Sequence, residues 1–341
     1  MKTLEIEGKT GHSTILVGES LSRVQQYIKD RKVVIITDQN VNRLYGKDFP
    51  QVDVIEIGMG EKVKTLATLQ DIFEKLVEYE ADRSTFVLAV GGGIVCDIAG
   101  FAASTYMRGI PFGFVSTTLL AQVDASVGGK NGVNYQGYKN MVGTFNQPQF
   151  VICDMDLLKT LPEREVLCGF GEIAKHAFIG DVGMCDFLEE NHDRAVSLDP
   201  QIITRLVYDS VVIKSTIVNK DEKEQGERKK LNFGHTFGHA IEKNTGMLHG
   251  EAISIGMVVA ARLSREKGLL SQAEETRIVD LLSKLNLPVE TDVDKSLLMD
   301  AMRKDKKRKG DHIDFVLLQG LGNAIIRPIT ISELEKVVFD L

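Results

Sequence analysis

Histidine side chains are concentrated in one short stretch of this chain, and their spacing suits a metal site. Three of its seven histidines, His235, His239 and His249, fall within positions 235–249. His235 and His239 are four residues apart, so in a helix both side chains lie on the same face. Imidazole nitrogens combined with one carboxylate form a borderline ligand set that suits zinc or a similar divalent ion. The clustering therefore predicts a metal site.

The carboxylate of this predicted site has to come from another part of the chain. Glu172 is the best candidate, because it stands among small and apolar residues in the segment 169–175. Lys175 follows three residues later, so in a helix it shares the face of Glu172. A solvated surface would explain any single basic residue, whereas several cations near a metal and a nucleotide indicate an anionic substrate. The further cations in similar small-residue contexts are Lys130, Lys139, Lys214 and Arg228.

A glycine-rich turn supplies a second kind of chemistry. Gly91-Gly92-Gly93 follows a predicted strand that ends at Val90 and precedes a helical run. Glycines let the backbone approach a pyrophosphate, and the helix N-terminus adds amide N–H groups and positive potential. The spacing differs from the G-x-G-x-x-G of ordinary dinucleotide sites, so a plain tight turn stays an alternative. Asp38 and Asn40, after an earlier strand, could bind adenosine ribose hydroxyls or simply cap a helix.

Short apolar runs that alternate with helical patterns must position these groups. Buried parallel strands are predicted at 33–38, 86–90, 112–115 and 150–154, and an amphipathic helix at 66–80. Strands separated by helices form a parallel sheet with right-handed crossovers, and ligands bind at the carboxyl ends of such strands.

The second half of the chain has a different character. Long amphipathic segments predict helices at 164–178, 200–219, 234–243, 250–267 and 272–285, with a late strand at 313–318. The predicted fold is α/β, with a Rossmann-like parallel-sheet domain at 1–158 and an all-α C-terminal domain at 159–341. No flexible linker marks the boundary, so a tight interdomain cleft is expected.

Composition narrows the classes of function. The 341 residues, 43% of them hydrophobic and 26% charged, suit a globular protein of two domains. No apolar stretch approaches the roughly 20 residues that span a bilayer, and the acidic N-terminal strand pattern is unlike a secretory signal. The formal net charge of -7 disfavours nucleic-acid binding. Four cysteines without C-x-x-C spacing disfavour a zinc ribbon or a disulfide framework, so a cytoplasmic location is predicted.

Ordered motifs along nearly the whole chain resemble the 3-dehydroquinate synthases. They are Gly60-Glu61 with Lys64-Thr65-Leu66, Gly91-Gly92-Gly93 with Asp97, 105–109, 117–124, Gly128-Gly129-Lys130, Lys139-Asn140, 161–165, Glu172 with Lys175, 232–235, His239 and His249-Gly250-Glu251. The chain departs from the family pattern at Ser116, where proline is usual, and at Cys96, where glycine is frequent. Tyr135-Gln136-Gly137-Tyr138 replaces the common His-Pro-Leu-Gly, and no functional group is lost.

The resemblance implies a role for each group of residues. Glu172, His235 and His249 would hold zinc or cobalt, and the fold would be dehydroquinate synthase-like. NAD would contact Asp38, Asn40, Glu61, Lys64, Gly91, Gly92, Gly93, Asp97, Thr117, Thr118, Lys139 and Thr160. The catalytic set would be Asp124, Lys130, Lys175, Lys214 and His239, and further substrate contacts would come from Arg108, Asn140, Arg228, Asn232 and a lysine, Lys306 or Lys307. In the family the residue matching Arg108 reaches in from a neighbouring subunit, which implies a homodimer.

The implied activity is that of a carbon–oxygen lyase in the shikimate pathway, which leads to chorismate and the aromatic amino acids. It would convert 3-deoxy-D-arabino-heptulosonate 7-phosphate into 3-dehydroquinate and phosphate. The steps would be transient oxidation by NAD, phosphate elimination, re-reduction and intramolecular aldol closure. Three alternatives are a metal-dependent alcohol or polyol dehydrogenase, a sibling cyclase for another sugar phosphate, and a nucleotide-binding sensor. The cation set disfavours the dehydrogenase, and the presence of both Lys214 and His239 favours the dehydroquinate reaction.

Overall fold

The computed structural model describes residues 1–303 and 308–339 and divides them into two compact units. The first contains Met1–Leu161 and the short segment Lys214–Lys223, and the second contains Pro162–Ile213 and the described residues from Glu224 onwards. Lys306 and Lys307 lie outside the described residues. The assignment of NAD binding to 1–158 and of metal and substrate binding to 159–341 stays a prediction.

The strands and helices alternate in the first half of the chain and are mostly helices in the second. The strands are β1 (Lys2–Gly8), β2 (Gly11–Val17), β3 (Val33–Asp38), β4 (Asp53–Ile57), β5 (Phe86–Gly91), β6 (Phe112–Ser116), β7 (Lys130–Tyr135), β8 (Tyr138–Phe145), β9 (Phe150–Cys153), β10 (Arg308–Lys309), β11 (His312–Leu318) and β12 (Ala324–Thr330). The helices are α1 (Gln25–Ile28), α2 (Gln39–Tyr45), α3 (Leu66–Glu78), α4 (Gly93–Thr105), α5 (Glu163–Gly180), α6 (Val182–Val196), α7 (Pro200–Lys220), α8 (His235–Thr245), α9 (His249–Glu266), α10 (Gln272–Lys284), α11 (Lys295–Arg303) and α12 (Ile331–Phe339).

A seven-stranded sheet forms the centre of the first unit. Its strand order is β1-β2-β9-β6-β5-β3-β4, in which only the β1–β2 pair is antiparallel. The strands predicted from continuous apolar runs are all present, and such runs are typical of parallel strands covered on both faces. Ile35, Leu88, Val115 and Ile152 are buried together in its core, and each contributes roughly 1.5–3 kcal/mol by leaving water. The sheet is therefore a rigid support for the groups at its carboxyl edge.

A two-stranded ribbon, β7 with β8, packs against α4 in the first unit. Its two-residue turn lies between the paired residues Tyr135 and Tyr138. Gln136 and Gly137 both have positive φ, 48° and 78°, as tight hairpin turns require. The segment that departs from the family pattern is thus a regular hairpin turn.

The second unit is helical, as the sequence predicts, and it also contains a small antiparallel sheet in the order β10-β11-β12. The late strand predicted at 313–318 is present as β11. Across the ranges described above, no helix is both long enough and apolar enough to span a membrane.

Candidate active site

The crossing of α5 and α9 brings two predicted metal ligands together. A Cβ added at Gly250 would lie 2.1 Å from the carbonyl oxygen of Cys168, and one added at Gly171 would lie 2.6 Å from the carbonyl oxygen of Gly250. The two backbones can touch because neither residue has a side chain. Glu172 follows Gly171 and His249 precedes Gly250, so this contact places the carboxylate and the imidazole side by side.

The crossing of α8 and α9 adds the third ligand in the same way. A Cβ at Gly256 would lie 2.0 Å from the carbonyl oxygen of Gly234, and one at Gly238 would lie 2.5 Å from Cδ1 of Ile253. Gly234 caps α8 with φ of 79°, in the left-handed region that favours glycine. His235 therefore begins α8 at the point where this helix lies closest to α9.

The three side chains form a site of the size that a metal ion needs. Oε1 of Glu172 lies 3.9 Å from Nε2 of His235 and 3.6 Å from Nε2 of His249. Ligand atoms at about 2.0–2.2 Å from a tetrahedral zinc ion are roughly 3.4 Å apart, so the residues fit the ion after small movements. Three protein ligands leave one position for another molecule, which is typical of catalytic zinc sites.

Both histidines are oriented by a group on the far side of the ring. Nδ1 of His235 lies 3.1 Å from the carbonyl oxygen of Phe233, and Nδ1 of His249 lies 3.4 Å from Oε2 of Glu242. A proton on Nδ1 directs the Nε2 lone pair towards the metal position. Sequence reasoning missed Glu242, although it lies three residues after His239 and on the same helical face, a spacing that could have indicated it.

The electrostatic field of this site favours positive charge. Burial lowers the pKa of His249, but the carboxylates of Glu172 and Glu242 outweigh that effect and raise the pKa to about 9. The ammonium of Lys175 contacts the carboxylate of Glu172, and both side chains are buried. Buried charges are usually paired, and Lys175 is the cationic partner of this buried carboxylate.

The start of α9 is fixed by the motif at 161–165. Arg164 donates two hydrogen bonds of 2.7 Å to the carboxylate of Glu251. Glu251 in turn accepts from the backbone N–H of Leu248 at 2.8 Å. Because His249 comes next in the chain, this clamp fixes the place where the second histidine ligand leaves the backbone.

Replacement of Glu242 by alanine is expected to weaken zinc binding by about 10- to 100-fold, the usual cost of losing the partner of a ligand. Glu242→Gln should lose less, because its amide oxygen can still accept from Nδ1 of His249. Competition with a chromophoric chelator measures both affinities, and Glu190→Ala, on the exposed face of α6, is the control. Equal zinc affinity in all the variants would show that Glu242 does not support His249.

The carboxyl ends of β3 and β5 carry the predicted nucleotide groups. Oδ1 of Asp38 accepts from the backbone N–H of Asn40 and of Val41, both at 2.9 Å. Asp38 therefore caps α2, which is one of the two roles predicted for it from the sequence. A capping carboxylate can also contact a ligand. Thr160 forms a 2.6 Å hydrogen bond with Tyr45 near the end of the same helix.

The glycine turn between β5 and α4 is tightly packed. A Cβ at Gly92 would lie 2.9 Å from Cγ2 of Thr118, and one at Gly93 would lie 2.7 Å from Cβ of Ala125. The backbone N–H of Thr117 donates to the carbonyl oxygen of Gly91 at 3.0 Å. Glycine is thus required by the packing of the chain, and the first amides of α4 begin at this edge, a geometry that suits a pyrophosphate.

Lys64 joins several predicted groups into one network. Its Nζ donates to Oδ2 of Asp97 at 2.5 Å and to Oδ1 of Asn140 at 2.6 Å. Burial raises the pKa of Asp97, and the charge of Lys64 opposes that rise. Asn134 joins Glu61 to this network, because it donates to Glu61 at 2.7 Å and accepts from the backbone N–H of Asn140 at 2.9 Å. Sequence reasoning missed Asn134, since only the register of the ribbon gives it this position.

Asp124 and Lys214 form an ion pair within the first unit. Nζ of Lys214 donates to Oδ1 of Asp124 at 2.6 Å and to its carbonyl oxygen at 2.5 Å. Asp124 lies in a π-helical turn at Ala121–Ala125, and Lys214 is buried on α7. The carbonyl and the carboxylate fix the direction of the ammonium.

The other predicted residues are divided between the two units. In the first unit Lys130, Lys139 and Arg108 are exposed, and Arg108 has a left-handed backbone with φ of 71° just after α4.

In the second unit, Arg228 is buried and Asn232 ends the same 3-10 turn, Glu227–Asn232. Asn232 donates to Glu224 at 2.5 Å, and sequence reasoning missed Glu224. His239 is exposed, with its ring centroid 5.2 Å from that of His235.

Comparison with known proteins gives matches that together cover nearly the whole chain. The N-terminal 3-dehydroquinate synthase family matches residues 54–168, and the C-terminal 3-dehydroquinate synthase family matches residues 169–308. The 3-dehydroquinate synthase of Acinetobacter baylyi is 41% identical over 351 residues, which cover 98% of this chain and 97% of the relative. That of Alkaliphilus metalliredigens is 42% identical and covers 90% of this chain and 89% of the relative.

Solved structures of related cyclases have the same fold. A 2-deoxy-scyllo-inosose synthase in complex with carbaglucose-6-phosphate, NAD+ and Co2+ is 28% identical, with a TM-score of 0.89 over 99% of this chain and 100% of the other. A probable glycerol dehydrogenase from Sinorhizobium meliloti, at 15% identity and a TM-score of 0.67 over 96% of this chain and 95% of the other, shares the fold alone. From the two family matches and the full-length relatives, the chain belongs to the 3-dehydroquinate synthase family.

Proposed function

We propose that the chain converts 3-deoxy-D-arabino-heptulosonate 7-phosphate into 3-dehydroquinate and phosphate, with NAD and with zinc or cobalt. The observation that carries this proposal is the burial of three cations, Lys175, Lys214 and Arg228, which are 1%, 5% and 2% exposed. Burial of a cation is costly unless anions compensate it. Lys175 and Lys214 have carboxylate partners in the structure, Glu172 and Asp124. A substrate with a carboxylate and a phosphate adds further anions that suit such cations, whereas a simple alcohol adds none.

The residues present fit both cofactors. Glu172, His235 and His249 would hold the metal, and the glycine turn at 91–93 with Asp97 would hold NAD, supported by Asp38, Asn40, Glu61, Lys64, Thr117, Thr118, Lys139 and Thr160. When bound, NAD accepts and returns a hydride while the metal acts as a Lewis acid. The related 2-deoxy-scyllo-inosose synthase binds NAD+ and Co2+, and a 2-epi-5-epi-valiolone synthase, 28% identical with a TM-score of 0.87 over 96% of this chain and 95% of the other, binds NAD+ and Zn2+.

The other predicted site residues bind the substrate and transfer its protons. Lys175 and Arg228 neutralise the anionic groups of the substrate, and Asn232 and Asn140 donate hydrogen bonds to it. Asp124 fixes the direction of the Lys214 side chain, because it accepts a hydrogen bond from Nζ at 2.6 Å. His239 is exposed on the helix that carries His235, so its imidazole can hold a proton for the departing phosphate. Lys130, the first residue of β7, also binds the substrate.

A phosphate-release assay tests this function. The purified protein with NAD and zinc should release one phosphate for each 3-dehydroquinate formed from the heptulosonate phosphate. Glucose 6-phosphate is the comparison substrate, because a sibling cyclase for another sugar phosphate would prefer it. Phosphate release from glucose 6-phosphate alone would move the chain to that sibling activity.

We also propose that the enzyme is a homodimer whose sites share Arg108. This residue is exposed, with its backbone held in a left-handed conformation after α4, so it is available to a second copy of the chain. Mixing inactive Arg108→Ala subunits with inactive Lys175→Ala subunits should restore up to about a quarter of wild-type activity, since each hybrid dimer regains one complete site. No recovery, with subunit exchange verified by mass spectrometry, would contradict a shared site.

The enzyme is proposed to work in the cytoplasm. All four cysteines are free and buried, which suits a reducing compartment. Cell fractionation with an antibody against the chain would place it, and recovery outside the cytoplasmic fraction would overturn this location.

A further inference from the structure

A buried carboxylate just beyond α7 joins three segments of the first unit. Glu222 accepts from the backbone N–H of Lys9 at 2.9 Å and of Thr10 at 3.4 Å, and from Nε2 of Gln147 at 3.0 Å. The hydroxyl of Thr10 donates to the same carboxylate. Burial raises the pKa of Glu222, but these donors outweigh burial and lower the pKa. The group is therefore an ionised anchor for the tip of the β1–β2 hairpin.

The hairpin holds the end of α7 at a second point as well. The backbone N–H of Glu7 donates to Oδ1 of Asn219 at 3.2 Å. A Cβ at Gly8 would lie 2.2 Å from Oε1 of Glu222, so glycine is needed there for the hairpin to approach the carboxylate. One contact lies on the last turn of α7 and the other just beyond its end, so together they hold this end of the helix in place.

Lys214 lies eight residues before Glu222 in the same segment of the first unit. Lys214 is six residues before the last residue of α7, Lys220, which is roughly 9 Å along the helix at about 1.5 Å per residue. The helix is rigid over that length, so a shift at its anchored end moves Nζ of Lys214 relative to Asp124. Hydrogen bonds of 2.5 and 2.6 Å lose much of their strength when geometry changes.

The same carboxylate also reaches the start of β7 through Gln147. A Cβ on Gly129, where φ is 70°, would lie 2.7 Å from Nε2 of Gln147, and the N–H of Asn146 donates to the carbonyl oxygen of Gly129 at 2.8 Å. Within the described part of the chain, Oε1 of Gln147 has no hydrogen-bond partner. Glu222 thus dictates the orientation of this amide, which packs directly against the residue before Lys130.

We propose that Glu222 and Thr10 are positioning residues that set Lys214 and Lys130 for the substrate. The inference rests on the proposed function, in which these two lysines bind the sugar acid phosphate. The hairpin tip acts through the anchored helix end and through Gln147, and it touches neither substrate nor cofactor.

Two substitutions test the proposal on the full-length enzyme loaded with zinc and NAD. Thr10→Val removes one donor at constant shape, and Glu222→Gln turns an N–H group towards the N–H of Lys9. Each should lower kcat/KM by about tenfold or more, because a hydrogen bond to a charged group is lost. Affinity for a phosphonate analogue of the substrate, which cannot lose its phosphate, should fall by a similar factor. Affinity for NAD should stay unchanged, and Thr10→Ser should restore kcat/KM to within about twofold of wild type.

Thr14→Val is the matched control, because its hydroxyl donates to Glu5 at 2.9 Å in the same hairpin, on an exposed surface. It should leave kcat/KM and the phosphonate affinity unchanged. The inference is overturned if Thr10→Val and Glu222→Gln behave like Thr14→Val. It is also overturned if their NAD affinity and melting temperature fall together with activity, as a purely structural role requires. An inactive wild-type enzyme would overturn the proposed function and this inference with it, whereas an active wild type with unaffected variants overturns the inference alone.

Discussion

Replacement of His235 by alanine is expected to strip the metal and lower turnover about a thousandfold or more, because a metal ion supplies several kcal/mol of transition-state stabilisation and each 1.36 kcal/mol is tenfold in rate. His235 begins α8, and its Nε2 lies 3.9 Å from Oε1 of Glu172. Only two ligands, Glu172 and His249, would then remain. The fold should persist, because His235 is not among the buried residues of α8.

Metal analysis and circular dichroism of the purified variant check this result. His192→Ala is the matched control, since His192 is a half-buried histidine on α6 that contacts the carbonyl oxygen of Glu189. The control should keep its metal and its activity. Full zinc occupancy in a pure, folded His235→Ala protein would remove this residue from the ligand set.

Gly250→Ala is expected to disrupt the metal site although it changes no ligand. The new Cβ would lie 2.1 Å from the carbonyl oxygen of Cys168, and a backbone atom cannot move aside as a side chain can. Overpacking of this kind costs about 3 kcal/mol or more. Because the overlap forces α5 and α9 apart, Glu172 and His249 would separate and the protein would bind zinc more weakly.

Thermal unfolding of Gly250→Ala measures the loss of stability, and a zinc titration measures the loss of metal affinity. Gly183→Ala is the control, because among the described residues its new Cβ would meet only the side-chain oxygen of Asp181, at 3.2 Å, near the start of α6. It should leave the affinity for zinc unchanged. Wild-type zinc affinity in Gly250→Ala would show that the helix crossing does not determine the ligand geometry.

The sheet of the first unit could be predicted from the sequence, whereas the ribbon could not. Val33–Asp38 is a continuous apolar and β-branched run, and a short run of this kind is typical of a parallel strand buried on both faces. Lys130–Tyr135 instead mixes lysine, asparagine and glycine. Its strand conformation comes from pairing with β8 and from packing against α4, which are contacts distant in sequence. For the same reason the pattern of residues does not reveal the role of Asn134.

The metal site was also only partly predictable, because some of its features are local in sequence and others depend on contacts between distant segments. The spacing of His235 and His239 indicates a shared helix face from local geometry alone. Glu172 stands out because it is acidic in an apolar segment, and burial of such a residue needs a partner. Its distance of 3.6 Å from His249 depends on two glycines, Gly171 and Gly250, which permit contact between helices far apart in the chain.

Dehydrogenases share this fold. The activity of a dehydrogenase and that of the proposed cyclase differ in the fate of the hydride. A dehydrogenase releases reduced cofactor in proportion to product. The proposed cyclisation returns the hydride to the substrate before release. The buried cations Lys175, Lys214 and Arg228 favour the cyclisation, because they suit a substrate that carries a phosphate and loses it.

Simultaneous measurement of phosphate, 3-dehydroquinate and reduced cofactor tests this central claim most directly. The reaction should contain the heptulosonate phosphate in large excess over NAD, with zinc-loaded enzyme. We expect many turnovers for each NAD molecule, one phosphate for each 3-dehydroquinate, and no net increase in absorbance from reduced cofactor. Reduced cofactor that accumulates in step with product, without release of phosphate, would contradict the synthase assignment and identify a dehydrogenase.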